Sequence, residues 1–152
     1  MAYKVAIDSS NSSENKNGIV EKDFTFTIAK YINERLNNIG IENFLVDENN
    51  AGLTDEEKVN IIKDKYGNGN NIIVISNRLN TGGKNGAEIM YPLRNNSKLA
   101  SLIASNLEDA GQTVLKYYQL RNNSDTSKDD DYLIRNTANN LTIVIDYGYI
   151  DN

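Results

Sequence analysis

Apolar and polar positions alternate from Tyr3 to Asp8, with enough β-branched side chains to predict a strand that ends in the polar loop Ser9 to Gly18. From Glu21 the period changes. Phe24, Ile28, Tyr31/Ile32, Leu36 and Ile39 recur at helical spacing, Glu21 and Asp23 suit the positive end of the dipole, and Gly40 is placed as a stop. Asn43 to Asp47 is a short apolar run. Thr54 and Glu57 form a capping-box pattern that opens a second helix running to about Tyr66. The turn at 67–70 leads into Ile72-Ile73-Val74-Ile75, an unbroken apolar run that suits a central strand covered on both faces. Gly82 to Gly86 reads as a flexible connection into Ala87 to Tyr91. Ser97 is placed to cap a third helix through Leu99, Leu102/Ile103 and Leu107 up to Gly111. Thr113 to Leu120, Tyr132 to Arg135 and Leu141 to Ile145 read as further strands. Strands alternating with helices predict a three-layer α/β sandwich, its central sheet mostly parallel or mixed, of about six strands, flanked by helices.

Length and composition narrow the chemistry. At 152 residues, 39% hydrophobic and 24% charged, the chain is one domain, residues 1–152. It has no Cys, which excludes disulfides, thiolate metal sites and cysteine nucleophiles. It has no His either, so there is no imidazole base and no nitrogen ligand of the kind zinc sites use. A net charge of −5 argues against phosphate-backbone binding, hence against nucleic acid. The acidic run Asp125 to Asp131 reads as a solvated loop. No stretch reaches the length of a membrane span, and the first residues lead into a strand without an export signal, so the expectation is a cytoplasmic product as synthesised, with phage or cell-wall association after release.

Several strings stand in a known order: Val5-Ala6-Ile7-Asp8 and its serine-rich loop, Glu21-Lys22-Asp23, Ser76-Asn77-Arg78-Leu79-Asn80, Gly86-Ala87-Glu88-Ile89-Met90-Tyr91, Ser97-Lys98-Leu99-Ala100, and Asp146-Tyr147-Gly148-Tyr149-Ile150-Asp151-Asn152. In this order they resemble the type 3 family of zinc-dependent N-acetylmuramoyl-L-alanine amidases, which cut between glycan and peptide in bacterial peptidoglycan. The resemblance covers nearly the whole chain. It implies that the family's first zinc ligand, a His, falls on Asn11, that the second is kept as Glu21, and that the third, again a His, falls on Arg78 or Asn77 according to the anchor chosen. The family's general-base carboxylate falls on Asp146. Family members usually continue into a last helix that covers one sheet face, so the resemblance also implies apolar surface left uncovered beside the last strand and a contact with another protein or a second copy.

These positions lead to the expectation of a pseudo-amidase, not an enzyme, with no cofactor and no metal. In it Arg78 would form an ion pair with Glu21 or Asp146 in place of the ion. Asn11, Glu21, Arg78, Asp146 and Tyr147 would then line a groove binding peptidoglycan. The alternatives are a structural or assembly protein reusing the fold, and a cell-wall hydrolase working through Glu21 and Asp146.

Overall fold

A computed structural model of the chain describes residues 2–152. Its main sheet has six strands: β1 (Lys4–Ser9), β4 (Asn43–Leu45), β5 (Ile72–Asn80), β6 (Ala87–Met90), β7 (Val114–Tyr118) and β8 (Leu141–Tyr149). A hairpin of β2 (Asn15–Lys16) and β3 (Ile19–Val20) lies within the segment expected to be a plain loop. The helices are α1 (Glu21–Asn38), α2 (Asp55–Tyr66), α3 (Lys98–Asp109) and α4 (Tyr132–Asn136).

Spatial order in the sheet is β4-β1-β5-β8-β6-β7. All neighbours run parallel except β8 and β6, which are antiparallel. The apolar run at 72–75 is therefore one of the two central strands. Side chains two apart share a face, and the packing follows that rule. Val5, Ile7, Ile73 and Ile75 meet α1, and Ile89, Ile143 and Ile145 meet α3. On the other face Ala6, Ile72 and Val74 meet Val59 and Ile62 of α2 and Leu133 of α4, while Val144 and Met90 meet Ile134. Three layers result, as predicted.

Two local expectations change. Tyr132 to Arg135 is not a strand but the short helix α4: Asp131 caps it by accepting the Ile134 amide at 3.1 Å, and Leu133 and Ile134 are driven into the core. Ser97 does not cap α3 through its side chain; the neighbouring Asn96 Oδ1 accepts the Lys98 amide at 3.0 Å instead.

The capping box is formed, with Thr54 Oγ1 accepting the Glu57 amide at 3.2 Å and Glu57 Oε1 accepting the Thr54 amide at 3.1 Å. Thr54→Ala is expected to cost about 1 kcal/mol, read as a lower urea midpoint with an unchanged slope. An unchanged midpoint would mean that packing alone holds this end of α2.

A cavity of about 410 Å³ opens where the start of the central strands meets α3, lined by Tyr3, Ile73, Leu141 and Ile143 from the strand side and by Arg94 and Leu99 from the segment before α3 and α3 itself. Among the described residues no helix is long and apolar enough to cross a membrane.

Candidate functional site

Polar side chains gather where the strands end. Asp8 follows the apolar part of β1, Ser76 and Arg78 that of β5, and Asp146 that of β8. The two-residue period puts all of them on the face that carries α2 and α4. Register then sets a row across the sheet: Arg78 lies opposite Asp146, Asp146 opposite Glu88, and Glu88 opposite Lys116. Charges in that row run plus, minus, minus, plus. The carboxyl ends of parallel strands, where the chain turns away and the pleat opens, are the usual place for a ligand in an open α/β sheet.

Beneath the row lies a buried chain of ionic contacts. Lys58, from the inner face of α2, places Nζ 2.9 Å from Asp8 Oδ1 and donates to the Ser9 carbonyl at 2.6 Å. Ser76 Oγ donates to Asp8 Oδ2 at 2.6 Å and accepts from Arg78 Nε at 3.0 Å. Arg78 then grips Asp131 with both terminal nitrogens, at 2.6 and 3.3 Å. Burial opposes the charge on Arg78, but the carboxylate of Asp131, helped by Asp8 and Asp146, outweighs it and holds the guanidinium above its ordinary range. Burial likewise opposes ionisation of Asp131. Arg78 and the amides of Ile134 and Leu133 prevail and keep its carboxyl below the usual range.

The expected partner of Arg78 is thereby corrected. It pairs with neither Glu21 nor Asp146 but with Asp131, because α4 turns its cap residue inward over the end of β5. The acidic run is accordingly not all solvated: Asp129 is also buried, accepting the Leu93 amide at 2.9 Å.

Asp146 is buried, and among the described residues none forms an ion pair with it. Burial comes first in pushing its carboxyl up to about 6; Glu88, Glu21 and Asp131 add to the rise and Arg78 opposes it. Glu88, by contrast, receives Tyr149 Oη at 2.9 Å and Asn80 Nδ2 at 3.1 Å. Glu21, at the first turn of α1, uses Oε2 to accept the Leu79 amide at 3.2 Å, which ties α1 to the end of β5.

The remaining predicted positions are placed differently. Tyr147 and Asn77 lie on the opposite sheet face from Asp146 and Arg78; Tyr147 Oη donates to Asn77 Oδ1 at 2.6 Å, and Tyr147 packs among the residues under α3. Of the two alternatives for the third family position, only Arg78 therefore shares a face with Asp146. Asn11 is exposed, and its amide donates to the Leu53 carbonyl at 2.8 Å and to Asp55 Oδ1 at 3.3 Å, with no hydrogen bond to the other predicted residues. Residues the sequence reading missed are Asp8, Lys58, Ser76, Glu88 and Asp131. For Lys58 a signal was present, since it stands four before Ile62 on the apolar stripe of α2.

A zinc ion, implied by the resemblance, does not fit these donors. The chain has no imidazole or thiolate. Among the described residues no three His, Cys, Asp or Glu side chains are placed to hold a metal. A permanent cation, Arg78, stands next to Asp146 where a divalent ion would be repelled.

The family model described as N-acetylmuramoyl-L-alanine amidase matches residues 6–152. No curated protein matches the chain. Among solved structures, the catalytic domain of CwlV, an N-acetylmuramoyl-L-alanine amidase from Bacillus (Paenibacillus) polymyxa var. colistinus, is 19% identical, with 99% of this chain and 82% of that one covered at a TM-score of 0.78. The N-acetylmuramoyl-L-alanine amidase AmiC2 of Nostoc punctiforme is also 19% identical, with 99% and 81% covered and a TM-score of 0.78. Cwp6 from Clostridium difficile is 22% identical; all of this chain matches 25% of that one, at a TM-score of 0.84.

The expectation of a non-enzyme is overturned by the family match, which is to an enzyme family along almost the whole chain. Its physical weakness was to read the activity from one metal site. Missing imidazole describes that site, whereas Glu21, Glu88, Asp146 and Arg78 remain gathered at the strand ends. With the architecture shared and the match running from β1 to the last residue, the chain belongs to the N-acetylmuramoyl-L-alanine amidase family.

Proposed function

We propose that this chain serves a peptidoglycan-directed function, binding the muramoyl-peptide region at the carboxyl edge of its sheet. The observation that carries this is the collection of Arg78, Asp146 and Glu88 in one cross-strand row, inside the segment matched by the amidase family. Tyr149 and Tyr118 stand beside the row, each with its hydroxyl held protonated: burial, reinforced by neighbouring carboxylates, raises both, Tyr118 to about 12. Sugars and amides suit such a surface, since tyrosine offers a flat apolar body with a polar tip. Asp146, titrating near 6, can hold or release a proton at its carboxyl under ordinary conditions.

Purified protein is expected to co-sediment with bacterial sacculi, and Asp146→Ala to lower the pelleted fraction severalfold. Free amino groups released into the supernatant read amide cleavage in the same tubes. If the wild type stays in the supernatant at every protein concentration, the proposal is wrong.

A further inference from the structure

The cavity of about 410 Å³ beside α3 lies away from the charged row. Leu141 is the first residue of β8 and Ile73 is its register partner on β5, so the cavity sits at the amino ends of these strands, whereas Arg78 and Asp146 stand toward their carboxyl ends. It is also on the opposite sheet face, the one that carries α3. Along β5 the difference between the faces is visible: Ile72 and Val74, toward α2, are buried, while Ile73 and Ile75, on the cavity's face, are only half-buried. Tyr3 and Leu102, which also line the cavity, are large apolar side chains left exposed. A cavity of this size with a mostly apolar lining and a few polar groups has the usual make-up of a small-molecule site.

The charges around it have one sign. The chain carries 21 acidic against 16 basic residues, yet the charged residues lining the cavity are Arg94 and Lys98, with no carboxylate among them. Arg94 is fixed by donating to the carbonyl oxygens of Ile134, Thr137 and Asn140 at 2.8 to 3.3 Å, neutral acceptors that hold the guanidinium in place without cancelling its charge. Among the described residues it forms no ion pair; Asp129 acts on it only through space, and one oxygen of that carboxylate already accepts the Leu93 amide. Lys98 is exposed, and its ammonium has no acceptor among the described residues either. α3 begins at Lys98 with no acidic side chain in its first turn, so its dipole adds to the same sign. An apolar lining edged by two unanswered cations is complementary to an alkyl chain that ends in an anion.

We propose that this cavity binds a single-chain anionic amphiphile, its alkyl chain lying on Ile73, Leu99, Leu141 and Ile143 and its head group at Arg94 and Lys98. Arg94 supplies a positive charge whose position the three carbonyls set, and Lys98 supplies rotatable donors on a flexible stem. The site is separate from the strand-end row and does not rest on the peptidoglycan reading.

The probe is laurate, titrated calorimetrically into the full chain below its micelle-forming concentration. Beside it run dodecyltrimethylammonium, which has a similar chain and the opposite charge, and butyrate, which keeps the carboxylate and loses most of the chain. Laurate is expected to bind at least about tenfold more tightly than either, through its head against the first and its buried methylenes against the second. Lys98→Glu should weaken laurate about tenfold, because it replaces an attraction by a repulsion. Leu102→Asp, which removes apolar surface and adds a like charge, should weaken it by a similar factor. Both residues are exposed, so neither change disturbs the core, and pelleting with sacculi should stay at the wild-type level. Absence of laurate binding, equal binding of the two amphiphiles, or a laurate affinity that survives Lys98→Glu or Leu102→Asp overturns the site. Loss of pelleting in both variants would also overturn it, by making the cavity part of the peptidoglycan surface. Vesicles of phosphatidylglycerol supply the last arm: a protein that floats with them but gives no heat with laurate reads a membrane surface, and the proposal is then wrong.

Discussion

Lys58→Ala is expected to destabilise the fold by about 3–5 kcal/mol, the cost of leaving one member of a buried ion pair without its partner. Lys58 and Asp8 are each only 2% exposed, and their charges lie 2.9 Å apart. Without the ammonium, Asp8 would keep one hydrogen bond from Ser76 in a site that water does not reach, and the Ser9 carbonyl would lose its donor. Urea denaturation followed by circular dichroism measures the loss. Lys58→Met/Asp8→Asn, which removes both charges and keeps most of the volume, should recover most of it. If the double variant is as unstable as the single one, packing of the lysine stem and not its charge is what matters. Lys4→Ala is the control: its pair with Glu42 is 43% and 60% exposed, and such pairs contribute about 0–1 kcal/mol. The effect should also reach the site, since Asp8 orients Ser76 and Ser76 orients Arg78.

The elements that set the layers were legible because each repeats a period long enough to read. The stripe from Phe24 to Ile39 covers several helical turns, and 72–75 is apolar without interruption. α4 was hidden for the same reason. Five residues span little more than one turn, and adjacent Leu133 and Ile134 look like a strand fragment until Asp131 is seen as a cap. Its capping role was masked by the run of acids before it.

At the site, what is local could be read and what is distant could not. Glu21, Arg78 and Asp146 stand in strings whose order is visible along the chain, and the strand period already separates Arg78 from Asn77 and Asp146 from Tyr147. The partner of Arg78 lies 53 positions away, on a helix that sequence periodicity did not reveal. Glu88 was visible only as part of a string. Its significance comes from β6 lying antiparallel beside β8, a pairing that no local pattern announces.

The same topology makes Asp146→Asn the substitution with the largest expected gain in stability. The carboxyl of Asp146 titrates near 6 in the fold, raised first by burial and then by Glu88 and Glu21, against 3.8 as its ordinary value. Between those two values the folded chain binds a proton that the unfolded chain has released, so stability falls as pH rises across that interval and then levels off. At about 1.4 kcal/mol per unit, the wild type has lost up to about 3 kcal/mol by neutral pH. Asp146→Asn lacks a titrating group at this position and escapes that loss. Its melting temperature should exceed that of the wild type at pH 7, with the difference shrinking toward zero below pH 4. A difference that is constant from pH 4 to 7, or of opposite sign, would show that the carboxylate is neutralised in the fold, contrary to its lack of a paired cation among the described residues. A gain in stability together with a lower fraction pelleted with sacculi would identify Asp146 as a residue kept at a cost to the fold, for what it binds.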